Sequence, residues 1–446
     1  MRTGHTLQHW TVRLFATGAA SALLIATAAA QDRLNGFFLT SPVEISSGYN
    51  SQFLAGSKKL NDYETLLAGP TFSWLRTTHR TEFSIDYQPE FEWFARYGNL
   101  DSWNHSSTMR LTHRINARWS LVAGNSLLST DDPTRAMGNS LVLLPRGRYF
   151  QDSFYLGGGY KIDGATKLTF RFDGAINTMQ LPQPLTGQLD HASNAGSVTL
   201  DRSLTSAQSV SATYSFLHFT PFHPEISGNP TNVQIVNGVY TWNVGEGFAI
   251  RAAGGFVGGP QNAVTGGVTA EKTFGKLWTA VGYQRYVGFF GGLNPVIGPQ
   301  SSAEQFAGGV SPNSVYQVFS FRAKGQLWKK FWLEAGGQKA TTSATDITPG
   351  IHSLIGNARL DYRLTERVSL FARADYYGQD VNRFIDSPVS ERRFYLGLDV
   401  NVAHYYRPPA NTVKHRAPAQ ETQPPPAAPD EDEKKPVADD DSGERK

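Results

Sequence analysis

From Thr81 the chain reads Glu82, Phe83, Ser84, Ile85, Asp86, Tyr87, Gln88, Pro89, Glu90, Phe91, Glu92, Trp93. Every odd position carries an apolar or ring side chain and every even one a polar side chain. Successive side chains on a strand face opposite ways, so this stretch has one oily and one wet face. At about 3.3 Å per residue, about twelve residues are longer than a usual soluble strand. The wet face carries four carboxylates: Glu82, Asp86, Glu90 and Glu92.

The pattern recurs. Lys167 to Asp173 sets Leu168, Phe170 and Phe172 against Lys167, Thr169, Arg171 and Asp173; Val368 to Tyr376 and Phe394 to Val402 alternate in the same way. Eighteen such segments are predicted, the first at 43–54, the second at 63–75 and the last at 393–404, with sixteen as the other count their boundaries allow. Short connections such as Arg76 to His79, Asn116-Ala117, Ile162 to Ala165 and Thr365-Glu366 alternate with nine longer ones. Among the longer are Ser129 to Gln151, Asn177 to Ser193, Phe219 to Asn232, Gly288 to Ser314 and Gly378 to Arg392. Eight short and nine long connections put both ends of an up-and-down sheet on the short-turn side. No segment after the first thirty residues shows a 3.6-residue period, so the chain reads as all-β.

Composition narrows the chemistry. There is no cysteine, which excludes a disulfide scaffold, a thiolate metal site and a cysteine nucleophile. A formal net charge of +3 over 446 residues gives no large basic field, so no nucleic-acid partner is expected. No apolar run near twenty residues follows the N-terminus, which excludes a helical membrane protein but not a barrel whose strands are apolar on one face.

The two ends read differently from the body. Residues 1–30 have Arg2 and Arg13 ahead of an apolar, small-residue stretch ending Ala28-Ala29-Ala30, the layout of a secretory signal peptide. A short segment, 31–42, then leads to the barrel at 43–404. Residues 405–446 hold Pro424-Pro425-Pro426 and the acidic runs Asp430 to Glu433 and Asp439 to Asp441. With almost nothing to bury, this tail is expected to be disordered.

Even strand number, short turns on one side, long loops on the other and rings near the strand ends resemble a porin-like Gram-negative outer-membrane β-barrel. The rings are Trp74, Trp93, Trp119, Tyr160, Tyr214, Trp242, Tyr286, Tyr362 and Tyr376. The final strand, Tyr395-Leu396-Gly397-Leu398-Asp399-Val400-Asn401-Val402, resembles the targeting signal in the last strand of such barrels. It differs in using valines and in not ending the chain. The resemblance covers about residues 43–404. It implies a transmembrane antiparallel up-and-down β-barrel in the cell outer membrane after Sec-type export. Partners implied are outer-membrane lipids, the barrel-assembly machinery, a hydrophilic solute and a periplasmic partner for the tail.

The function so implied is passive diffusion of hydrophilic solutes through the lumen. The alternatives are a conduit for an exported polysaccharide or envelope polymer, and a structural or adhesion barrel. Lumen-lining candidates are Glu82, Asp86, Glu90, Glu92, Arg110, Arg114, Lys167, Arg171, Arg322, Arg359, Arg363 and Arg373. The third long loop resembles a porin constriction, with Asp131, Asp132, Arg135, Arg146 and Arg148 as its charged candidates. The acidic strand ending at Phe94 is expected to pair with the one bearing Arg110 and Arg114. No catalytic residue, metal or cofactor is expected. His218 and His223 near Glu225, and His105 near Asp101, offer only a weak hydrolytic reading, and no catalytic motif accompanies them.

Overall fold

A computed structural model describes residues 34–39, 41–55, 57–132, 145–180, 190–223, 229–245, 247–259, 262–288, 314–342, 350, 352–382 and 387–401. The signal peptide and tail expected from sequence, Arg135, and most of the Gly288 to Ser314 loop lie outside them. Two of the eighteen strands come in two pieces: β1 is Leu34–Leu39 and Val43–Ala55, β2 is Lys58–Ala68 and Phe72–Thr77. There follow β3 Thr81–Phe94, β4 Ser102–Arg114, β5 Trp119–Thr130, β6 Arg148–Lys161, β7 Thr166–Gln180 and β8 His191–Ser203. Next are β9 Gln208–Pro221, β10 Thr231–Gly245, β11 Phe248–Gly258, β12 Ala263–Phe274 and β13 Leu277–Gly288. The last five are β14 Ser314–Trp328, β15 Phe331–Thr342, β16 His352–Arg363, β17 Val368–Asn382 and β18 Ser387–Val400.

Each strand pairs antiparallel with its neighbours in the chain. β1 meets β18 from Val43 opposite Val400 to Ser51 opposite Arg392, so the sheet closes and no edge is left. The eighteen predicted segments all coincide with strands, and most strands run further toward the long-loop rim than the alternation alone indicated. Three of the nine connections read as long hold four residues or fewer: Ala55 to Lys58, Gly258 to Ala263 and, within the predicted Gly378 to Arg392 loop, Asn382 to Ser387, because the flanking strands extend beyond their alternating segments.

Alternation sorts the side chains. On β18, Phe394 and Leu396 are 52% and 60% exposed while Tyr395 between them is 3% exposed. The exposed set continues around the wall through Ile45, Phe154, Phe172, Val198, Val236, Phe256, Val281, Phe319 and Leu360. An exposed apolar surface of this extent is untenable in water and needs an apolar solvent.

The predicted second strand, 63–75, is interrupted where a proline forbids it from continuing. Pro89 on β3 has no N–H to give, and opposite it β2 breaks between Ala68, paired with Glu90, and Phe72, paired with Tyr87. Three residues there face two. The Gly69 N–H reaches the Pro89 carbonyl at 2.9 Å, and a Cβ on Gly69 would come within 2.9 Å of the proline ring. The extra residue switches the outward parity from Tyr63 and Thr65 to Phe72 and Trp74. Trp74 then stacks with Phe37 across the β1 pairing.

The short-turn rim is made from one repeated device. At Thr78, Asn116, Asp163, Thr205 and Thr365 the backbone N–H bonds the carbonyl three residues on. The same side chains fold over the turn. Asn116 Oδ1 accepts the Arg118 and Trp119 N–H groups at 2.8 Å each, Asp163 Oδ1 those of Ala165 and Thr166 at 2.7 Å each. Those two accepted bonds hold the exposed Asp163 carboxyl below the usual carboxylate range.

Candidate channel lumen

The face opposite the exposed apolar belt carries the predicted lining residues. Register places Glu82, Asp86, Glu90 and Glu92 on it from β3, Arg110 and Arg114 from β4, Lys167 and Arg171 from β7. Arg322 joins from β14, Arg359 and Arg363 from β16, and Arg373 from β17. The expected pairing of β3 with β4 is found. Arg110 stands opposite Ser84, flanked by Glu82 and Asp86 on the same face, yet it forms no ion pair with either. Asp86 instead accepts Ser73 Oγ at 2.5 Å, and Glu90 accepts Asn104 Nδ2 at 3.2 Å.

Three other inner-wall bases are neutralised two residues along their own strand. Arg171 pairs with Asp173 at 2.6 Å while lying over the Tyr155 ring, and Arg373 pairs with Asp375 at 2.9 Å. Arg359 bonds Asp361 at 3.0 Å, crosses the Phe371 ring, and reaches Glu44 on β1 at 2.7 Å and Asp399 on β18 at 2.5 Å. One guanidinium thereby ties β16, β18 and β1 together across the closing seam. The signal was present in the sequence as a repeated Arg-x-Asp, since residues two apart on a strand share a face.

The loop from β5 to β6 begins and ends against the same face. Asp131 N–H donates to Asn104 Oδ1 at 3.0 Å, and the Gly147 N–H to the Asp131 carbonyl at 3.1 Å, closing the loop's base. From there Asp132 reaches Arg393 on β18 at 2.8 Å and Arg146 at 3.6 Å. Arg146 grips Glu92 with both terminal nitrogens, at 3.0 and 2.5 Å, lies over the Phe94 ring, and gives its N–H to the Leu54 carbonyl at 2.7 Å. Arg393 also holds Glu391 at 2.6 Å. All five charged groups are buried. Burial alone would lower the Arg146 pKa, but Glu92 and Asp132 outweigh it and hold it above the usual guanidinium value. Arg148 and Asp131, paired at 3.1 Å, stay half-exposed at the rim. The loop's first and last residues thus bridge the inner faces of β5, β3, β1 and β18.

Two features went unread in the sequence. Tyr286, expected on the outward ring set, faces inward. The β13 register puts it opposite Tyr316, where the rings stack 5.4 Å apart and are buried. The inner face is also not polar throughout. Toward the loop rim of β9 to β18, Leu217, Val233, Ile235, Val257, Val318 and Ile355 share a buried apolar cluster on it. Polar residues at alternate positions had been assigned to the lumen. On β10 the inward set is Val233, Ile235, Asn237, Val239, and only its parity relative to β9 and β11 reveals it.

Among the described residues the histidines singled out in the sequence are held in separate places. His105 bonds the Tyr87 hydroxyl on the outward face, and His218 sits between Asn232 and Thr220. His223 approaches Asp190 at 3.7 Å; Glu225 lies outside the described residues. No cluster of three His, Asp or Glu suited to a metal is found among the described residues.

No family model and no curated protein matches the sequence. Solved structures similar in outline include Acinetobacter baumannii OccAB4, at TM-score 0.46 and 10% identity over 82% of this chain and 98% of that one. Pseudomonas aeruginosa OpdO follows at 0.44 and 12%, over 80% and 96%. The Pseudomonas aeruginosa outer membrane protein opdK also gives 0.44, at 11% identity over 81% and 99%. The barrel assignment stands on the strand register of this chain, not on that likeness.

Proposed function

We propose that this chain is a porin-like channel of a Gram-negative outer membrane, through which hydrophilic solutes diffuse passively. The observation that carries the reading is a closed sheet of eighteen strands with an exposed apolar outer belt and charged residues along the opposite face. Barrels of 16–18 strands are wide enough to enclose an aqueous channel. In this orientation the repeated tight turns face the periplasm and the long connections the exterior. The loop from β5 to β6 narrows the lumen, with Asp132 and Arg146 as its anchors and Asp131 and Arg148 at the rim; Arg135 belongs to the same loop by sequence. The inner wall acts by offering water-replacing polar contacts of mixed sign rather than by bond chemistry, so no enzymatic role is assigned.

Planar-bilayer recording on purified, folded protein tests this reading. Stepwise conductance increments in neutral lipid are expected, and removal of residues 405–446 should leave them unchanged. Folded barrel that inserts and gives no steps would contradict diffusion and favour a structural barrel. Loss of transport of a polymer on tail removal, with conductance intact, would favour the export conduit.

A further inference from the structure

The outward belt is apolar nearly everywhere, which makes three cations near its loop-rim edge conspicuous. Arg285 on β13 shares the face of Val281 and Tyr283; Lys339 on β15 stands opposite Phe319 and Leu354; Arg392 on β18 follows Phe394 and Leu396. Each lies eight residues from an apolar residue at the short-turn end of its own strand, namely Leu277, Phe331 and Val400. Eight residues are about 27 Å of strand, or about 20 Å of height at the usual barrel tilt, which is close to the height of a barrel's apolar band. The three cations therefore share one height at the band's upper edge, in a row from β13 to β18 that spans about 24 Å at about 4.8 Å per strand.

At the same spacing on the other half of the wall stand Phe91, Leu127, Asp152, Gln234 and the hydrogen-bonded His105 and His218, with no lysine or arginine among them. None of the three basic groups forms an ion pair among the described residues. Among the described residues of that rim, Asp380 accepts the His352 N–H at 2.8 Å. Lys59 adds a fourth basic group nearby, its Nζ donating to the Pro388 carbonyl at 2.5 Å. Below Arg392 a depression is lined on the outer wall by Tyr49, Ala358, Ala374, Tyr376 and Phe394, with small residues between rings, and it reaches in as far as Asp375 and Arg393.

The geometry points to a binding site for a phosphorylated anionic lipid of the external leaflet. Its phosphates are held by Arg285, Lys339 and Arg392, and an acyl chain lies in the depression beneath. Cations at an interface attract anionic headgroups, and paired phosphates match cations spaced along a wall better than a single free anion does. The inference rests on the outer-membrane reading above and adds a sided lipid contact to it. The opposite half of the barrel offers no such row of lysine and arginine.

The test uses the full mature chain folded in neutral detergent and titrated with a diphosphorylated lipid A. Its phosphate-free counterpart with the same acyl chains, and inorganic phosphate, serve as comparison ligands. The triple variant R285Q/K339Q/R392Q should weaken lipid A binding by about tenfold or more. Arg76→Gln, an outward cation at the opposite rim, should leave it unchanged. The phosphate-free lipid should bind wild type and triple variant alike, and inorganic phosphate should not compete. Equal lipid A affinity for wild type and triple variant overturns the proposal, as does equal binding of the phosphate-free lipid. If the triple variant fails to fold, R392Q and K339Q are measured singly. Conductance of the same preparations in neutral bilayers is read separately: steps with no phosphate-dependent binding sink the lipid site and leave the channel standing.

Discussion

Two parts of the inner wall solve the same problem in opposite ways. On β1 to β3 and β18, near the loop rim, five charged groups are buried together: Glu92, Asp132, Arg146, Glu391 and Arg393. Across the barrel, at the loop-rim ends of β9 to β16, the buried inner face is Leu217, Val233, Ile235, Val257 and Ile355. The apolar side is tolerant, because each contact there is small and nondirectional. The charged side is brittle. Its ions gain little over an apolar packing of the same shape, but each one is indispensable once the others are buried beside it.

The sharpest way to break this contrast is Arg393→Met. It strips Glu391 and Asp132 of their shared cation and should cost about 3–5 kcal/mol in denaturant unfolding. Adding Glu391→Gln and Asp132→Asn should return much of that loss; a triple variant no better than the single one would argue against a coupled cluster. Next comes Ile235→Ala on the apolar side. Its cost should be about 2–4 kcal/mol, and its departure from additivity with Arg393→Met measures coupling through Tyr377, which lies in the apolar cluster and under the Arg393 guanidinium. Arg148→Ala, at the exposed rim pair with Asp131, should change stability by about 0–1 kcal/mol and register instead in single-channel conductance.

A site belonging to neither region gives the smallest effect. The depressed carboxyl of Asp163 contributes stability that is present above its unfolded pKa of about 3.9 and is lost as pH falls through its lower folded value. Asp163→Ala should therefore lower stability by a small, constant amount at neutral pH, and the deficit should vanish as pH falls through the folded pKa.

The two regions also differ in how far the sequence disclosed them. Strand count and facing followed from a period of two, which only one backbone conformation satisfies over a dozen residues; Glu82 to Glu92 needed nothing else. Neutralisation along a strand was equally visible at Arg171, Arg359 and Arg373, each with an acid two positions on. What failed depended on neighbours. Asp132 and Arg393 are far apart in the chain, so their contact exists only after closure of β1 on β18. Tyr286 and the Val233 to Val239 set are apolar on whichever face they occupy, and their facing is fixed by the register of adjacent strands. The break in β2 opposite Pro89 could have been anticipated, since a proline in mid-strand requires a bulge beside it.

The central claim is that one face of this sheet meets water inside the barrel and the other meets lipid. The chain has no cysteine, so single cysteines can be placed along β3 without background. In folded protein reconstituted in bilayers, cysteines at 82, 84, 86, 88 and 90 should react with a charged, water-borne thiol reagent. Those at 83, 85 and 87 should be shielded from it and quenched by lipid-borne spin labels once carrying a fluorophore. Uniform reactivity along the strand, or the reverse alternation, would contradict the account.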